Sequence, residues 1–221
     1  MTANPTNRLT EIINPRWTGL AIVAATGPSL TADIAEQLRG YNVIAVNDAY
    51  KLLPFAPVMY SCDVAWWKHH AGCMGFAGEK WSSHGLNAND KSQIAPKYGL
   101  RLVNGIYSKG FSLKNSTIHY GSNSGFQATN LAILFGATLI ALVGFDMKIV
   151  GGKQHFFGAH PAPLNRVTAF GRFIEAFKIA AKHMPPGVQI VNCTPDSALT
   201  CFPYRDLKEV LSDGFEASNA A

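Results

Sequence analysis

The segment His155-Phe156-Phe157-Gly158-Ala159-His160 carries two histidines soon after Asp146. An imidazole titrating near neutrality is suited to take the proton of an acceptor hydroxyl, so His160 and His155 are candidate bases, with Asp146 as a candidate partner. Two histidines and two carboxylates could instead hold a metal ion, with Asp63 and Asp146 supplying the oxygens, although the histidine spacing matches no zinc motif. A second group of residues suits an anion. In Thr26-Gly27-Pro28-Ser29-Leu30, Gly27 lets a ligand approach the backbone and Pro28 stands where a helix needs no N–H. The remaining amides and the Ser29 hydroxyl can face phosphate, aided by the helix dipole. The plain alternative is a strand–turn–helix junction with a serine cap. Asn47 can hydrogen-bond a base or ribose, or close an Asx-turn. Ser122-Asn123-Ser124-Gly125 can offer amides to an anion, or simply cap a helix. Trp66 and Trp67 read better as core than as a stacking platform. His69, His70, His84, His119 and His183 read as surface or structural.

Stepping along the chain shows what must position these residues. Leu20–Ala25 is an unbroken apolar run, as in a strand buried on both faces of a parallel sheet. A helix over Leu30–Leu38 follows the turn. Strands are expected at Asn42–Val46, Pro57–Ser61, Leu100–Val103, Thr138–Val143 and Val188–Val191. Helices are expected at Asp63–His70, at Ser124–Phe135 with Gly136 as its stop, and at Asn165–His183. The last of these is amphipathic through Val167, Phe170, Phe173, Ile174, Phe177 and Ala181. Ala71–Gly121 is otherwise hard to read. Strands alternating with helices predict a single α/β domain, a Rossmann-like, doubly wound, mostly parallel sheet over residues 19–212. Residues 1–18 read as a loose arm and 213–221 as a disordered tail. Ligands in such sheets bind beyond the carboxyl ends of the strands. The small and polar strand ends Thr26–Leu30, Asn47–Asp48, Ser61–Asp63, Gly144–Asp146 and Asn192–Ser197 therefore form one expected rim.

Composition is consistent with that reading. With 221 residues, 48% hydrophobic and 15% charged, the chain can bury a large core, which excludes disorder. The net charge of +5 suits an anionic ligand. Its lysines and arginines are scattered, so no dedicated nucleic-acid groove is expected. Cys62, Cys73, Cys193 and Cys201 form no CxxC, and the polar first residues look like no secretory leader, so a reduced, cytoplasmic setting is expected. The longest apolar stretch, Leu131–Phe145, falls short of a membrane span.

Taken in order, Gly27-Pro28-Ser29-Leu30 after a buried strand, the Val46-Asn47 strand end, Ser124-Gly125 opening a helix and Gly144-Phe145-Asp146 resemble the bacterial sialyltransferases of glycosyltransferase family 42. They are also similar to the wider family 115 proteins, which include 6-hydroxymethylpterin diphosphokinases and phage-encoded members. The likeness spans about Leu20 to Leu199. It implies that Gly27, Pro28, Ser29, Asn47, Ser124 and Gly125 bind the cytidine monophosphate part of a donor. The family's base is the second histidine of a His-x-x-Gly-His segment, which here corresponds to His160, one residue further along. This chain departs by having Thr26 before Gly-Pro where the family has asparagine, and by lacking a nucleotide-contacting asparagine near Cys62 and Asp63. Only Met147–Gln154 stands where the sialyltransferases have a long lid. The leading expectation is thus a glycosyltransferase-like enzyme that takes a nucleotide-activated donor as substrate and needs no cofactor, with Thr26, Asp63 and Gly144 completing the donor site. The alternatives are a magnesium-dependent diphosphokinase and a non-catalytic nucleotide-binding accessory protein.

Overall fold

Five consecutive apolar side chains, Leu20–Ala24, form β1, and all five are buried. A strand that is apolar on both faces needs cover on both, so it belongs inside a sheet. In this computed structural model, which describes residues 9–165 and 168–219, β1 lies within an eight-stranded sheet whose neighbours are all parallel. On one side of β1 run β2 (Asn42–Val46), β3 (Val58–Tyr60), β4 (Glu79–His84), β5 (Leu100–Ile106) and β6 (Thr117–His119). On the other side lie β7 (Leu139–Val143) and β8 (Gln189–Asn192). The helices are α1 (Ala32–Gln37), α2 (Val64–His69), α3 (Ala88–Tyr98), α4 (Ser124–Leu134), α5 (Phe170–Ala181) and α6 (Leu207–Asn219).

Because side chains alternate across a strand, β1 feeds two cores. Ile22 and Ala24 pack with Leu30, Leu38, Trp67 and Leu211 on one face. Ala21 and Val23 pack with Phe126, Leu131 and Phe177 on the other. The central helix α4 is buried along its whole length, so its polar side chains must find partners inside. Gln127 accepts from the Tyr60 hydroxyl at 2.7 Å and donates to the Tyr120 carbonyl at 3.0 Å. Asn130 accepts from the amides of Ser112 and His119, both at 3.0 Å. The expected doubly wound α/β sheet is present, and it is parallel throughout.

Four expectations differ in detail. Ala71–Gly121 holds β4, α3, a longer β5 and β6, not one strand. Its β4 buries Ser82 and Ser83 in place of an apolar run, and α3 begins at Asn87 without a side-chain cap and contains Pro96. The arm before β1 lacks regular structure from residue 9 onward, but it is not loose. Ile13 and Trp17 are buried, and Arg16 pairs with Glu79 through two bonds of 2.7 and 2.6 Å. Residues 1–8 of that arm lie outside the described residues. The expected tail is instead the second half of α6, which runs to Asn219; residues 220–221 are outside the description. The long amphipathic helix starts at Phe170, and Val167 falls outside the described residues. No described helix is long and apolar enough to cross a membrane.

Candidate active-site cleft

The chain leaves β1 toward β2 on one side, and later places β7 on the other. The ends of β1 and β7 therefore flank the point where the winding reverses, where open α/β sheets leave a crevice. A cleft with about 550 Å³ of free space, its mouth included, opens there. Its floor is Ala25, Thr26 and Gly27 after β1, Val46 and Asn47 after β2, and Gly144, Phe145 and Met147 after β7. The start of α4, at Asn123, Ser124 and Gly125, closes one side.

Buried Asp146 fixes the first turn, being only 3% exposed. It accepts from the Ser29 hydroxyl at 2.7 Å and from the Ser29 amide at 3.3 and 3.4 Å. The Gly27 amide donates to the Gly144 carbonyl at 2.9 Å. A side chain at Gly27 has no room, because a Cβ would stand 1.9 Å from Asp146 Oδ2 and 2.5 Å from the Gly144 carbonyl oxygen.

Asn47 begins a 3-10 turn with φ of 49°, in the left-handed region that asparagine tolerates better than most residues. Its Oδ1 is buried and, among the described residues, has no hydrogen-bond partner, a condition that costs about 1–3 kcal/mol when unrelieved. At the facing edge, Asn123 caps α4 by accepting from the Phe126 amide at 2.8 Å. The amides of Ser124 and Gly125, in the first turn, have no helical carbonyl to reach. The cleft lining thus holds Asn47 together with the first-turn residues of α4.

The histidine loop closes over the first turn. Thr26 Oγ1 and His155 Nδ1 are 2.9 Å apart, and the Phe156 amide donates to the Thr26 carbonyl at 2.9 Å. The His155 ring stacks on Phe157 and meets the ring of His160 at 4.6 Å between centroids. Burial pushes His155 down to about 4, with His160 adding to the effect and Asp48 opposing it. Burial also lowers His160, while the carboxylates of Asp48 and Asp63 pull it back up and Lys51 and His69 push it down. Both rings are therefore neutral at pH 7, the form that can accept a proton.

The fold is shared with solved glycosyltransferases. The MAf glycosyltransferase from Magnetospirillum magneticum AMB-1 superposes with a TM-score of 0.57 at 12% identity, over 96% of this chain and 39% of that one. This chain therefore spans well under half of its length. The sialyltransferase CstII from Campylobacter jejuni, in complex with cytidine-5'-monophosphate, superposes with a TM-score of 0.54 at 15% identity, over 84% of each chain. No family model matches the sequence, and no curated protein matches it.

Of the residues singled out in the sequence, the cleft brings together Thr26, Gly27, Asn47, Ser124, Gly125, Gly144 and His155. His160 is not part of the lining; its ring lies 4.6 Å from that of His155 between centroids. Others have different tasks. Asp146, expected beside the histidines, holds the first turn, and the Ser29 hydroxyl expected to face phosphate is directed at Asp146. Pro28 shapes the turn without lining the cleft. The Ser124 hydroxyl is shared with Cys62, 3.1 Å from both its amide and its sulfur. Asp63 caps α2, accepting from the Ala65 amide at 2.8 Å, and lines a neighbouring cleft. Asp63 and Asp146 therefore do not fit a shared metal ion. Among the described residues, no group of three or more histidine, cysteine or acidic side chains is placed to hold one. Sequence reasoning missed Gln154 and Thr168, which join across the cleft mouth through a 2.6 Å hydrogen bond. It took Phe170 and Phe173 for core, yet both line the cleft.

Proposed function

We propose that the chain is a glycosyltransferase that moves a sugar from a nucleotide-activated donor, with a CMP-linked sugar as the leading candidate, to an acceptor hydroxyl. The observation that carries this reading is the cleft at the winding reversal, whose lining brings Asn47, with its buried and unpartnered Oδ1, together with the first-turn residues Ser124 and Gly125 of α4. Asn47 accepts a hydrogen bond from the base or ribose. The amides and the α4 dipole hold the phosphate. In the reaction His160 takes the acceptor's proton as the acceptor oxygen bonds to the anomeric carbon. The bond from that carbon to the phosphate oxygen breaks, and its electron pair leaves on the nucleotide, where the α4 amides stabilise the added charge. His155, held by Thr26, keeps the loop and the neighbouring His160 ring in place. Of the proteins that share the fold, one is named a glycosyltransferase and another a sialyltransferase, in complex with cytidine-5'-monophosphate.

The test is a thermal-shift screen of cytidine, uridine, guanosine and adenosine phosphates, followed by a transfer assay with the donor of the stabilising nucleotide. A bound nucleotide raises the melting temperature by mass action. Replacing His160 by Ala should lower kcat by about 10²–10⁴-fold while nucleotide affinity holds. Transfer at the wild-type rate in that variant would remove His160 as the base. No shift with any nucleotide would remove the donor reading.

A further inference from the structure

A second cleft, with about 860 Å³ of free space including its mouth, lies beside the first over the ends of β3 and β4. The two linings are linked through one residue pair. Ser124 faces the first cleft and Cys62 the second, and they are joined by the hydrogen bonds described above.

Lys91, on α3, lines this second cleft and is 1% exposed. Lysine is almost never buried so fully without a counter-charge. Its ammonium donates to the Ser83 carbonyl, and at 3.3 Å to the Ser83 hydroxyl. Three N–H bonds are present, so one is uncommitted. Among the described residues, no carboxylate lies within ion-pair distance of it. The other charged side chains of the lining are occupied: Lys68 pairs with Asp90 at 3.2 Å, and Asp63 caps α2. Burial lowers the Lys91 pKa, against the pull of Cys62 and Asp63. A desolvated cation with no counter-ion is costly, and a ligand anion would remove that cost.

We propose that the second cleft binds the acceptor, and that Lys91 holds an anionic oxygen group, carboxylate or phosphate, carried by it. The word acceptor rests on the donor reading above; the anion site rests on Lys91 and its cleft alone. The test is backbone amide NMR on the full chain with four probes: methyl β-glucuronide, glucose 6-phosphate, methyl β-glucoside and CMP. At least one of the two anionic sugars should shift the amides of Cys62, Ser83 and Lys91, and which one does so separates carboxylate from phosphate. The neutral glucoside should bind at least tenfold more weakly, and so should the anion to the Lys91→Met variant. In the wild-type protein the Lys91 Cε resonance should titrate at a higher pH once the anion is bound, a readout that survives if the variant fails to fold. Equal binding of the neutral glucoside, no response to either anionic sugar, or an unmoved Lys91 titration would overturn the site. CMP reports separately through Thr26, Asn47 and Gly125. Its failure there, with the anionic sugar still on Lys91, would sink the donor reading and leave the anion site standing. CMP seated on Lys91 instead would overturn the acceptor assignment.

Discussion

Replacing Gly27 by Ala should damage both the stability of the fold and the cleft. The new Cβ would lie 1.9 Å from Asp146 Oδ2, 2.8 Å from Asp146 Cγ and 2.5 Å from the Gly144 carbonyl oxygen. The Gly144 carbonyl is backbone and already receives the Gly27 amide, so it cannot retreat without breaking the β1–β7 junction. Asp146 can move only by giving up Ser29. A hydrogen bond to a charged group is worth about 1.5–3 kcal/mol, and forced overpacking costs about 1–3 kcal/mol. The sum is roughly 2.5–6 kcal/mol, equivalent to a fall of about 5–24 °C in Tm for a domain of this size. Circular dichroism melts of the wild type, Gly27→Ala and Ser29→Ala would measure it. Ser29→Ala loses only the hydroxyl's bond to that carboxylate and should be less stable by about 1.5–3 kcal/mol. If Gly27→Ala melts with the wild type, the close packing of the turn against Asp146 is wrong, and with it the reason glycine is required there.

Asn47→Gly keeps the left-handed backbone and removes the orphaned oxygen. It should change stability by less than about 1 kcal/mol and weaken nucleotide binding about tenfold, measured by calorimetry; unchanged affinity would detach Asn47 from the ligand. Ile13→Ala should cost about 2–4 kcal/mol in urea unfolding, because the side chain is 1% exposed, whereas a loose arm would show almost nothing. His155 is depressed from 6.5 to about 4, so folding favours its neutral form. Its contribution is complete above pH 6.5, falls as pH drops from 6.5 towards 4, and is at most about 3 kcal/mol. Stability measured against pH in the wild type and in His155→Gln should differ in slope across that window; parallel curves would deny the burial of the ring.

The sheet was legible because β1 and β7 are written in unbroken apolar residues and β2 is apolar after Asn42, and because the turn after β1 has glycine where the backbone must pass close to Gly144. The half of the sheet beyond β3 was less legible. There, pairing with neighbours sustains β4 despite its two buried serines, a property of the assembled sheet and not of the segment. A signal for α6 was present and overlooked: Leu207, Val210, Leu211 and Gly214 follow helical spacing, and the first three are buried. The site followed the same division. Thr26, Gly27, Asn47 and Gly125 were readable as strand and helix ends. The bonds that tie Asp146 to Ser29 were not readable, because sequence gives a carboxylate's position but not where its hydrogen bonds go. The aromatic wall at Phe170 and Phe173 has the same spacing as a core stripe, and only the tertiary structure shows that it faces a cleft.

A crystal structure of this chain soaked with CMP tests the central claim most directly. The account predicts the base or ribose within hydrogen-bond distance of Asn47 Oδ1, and the phosphate on the amides of Ser124 and Gly125 beneath the histidine loop. CMP bound anywhere else, or a first cleft unchanged at saturating CMP, would contradict it.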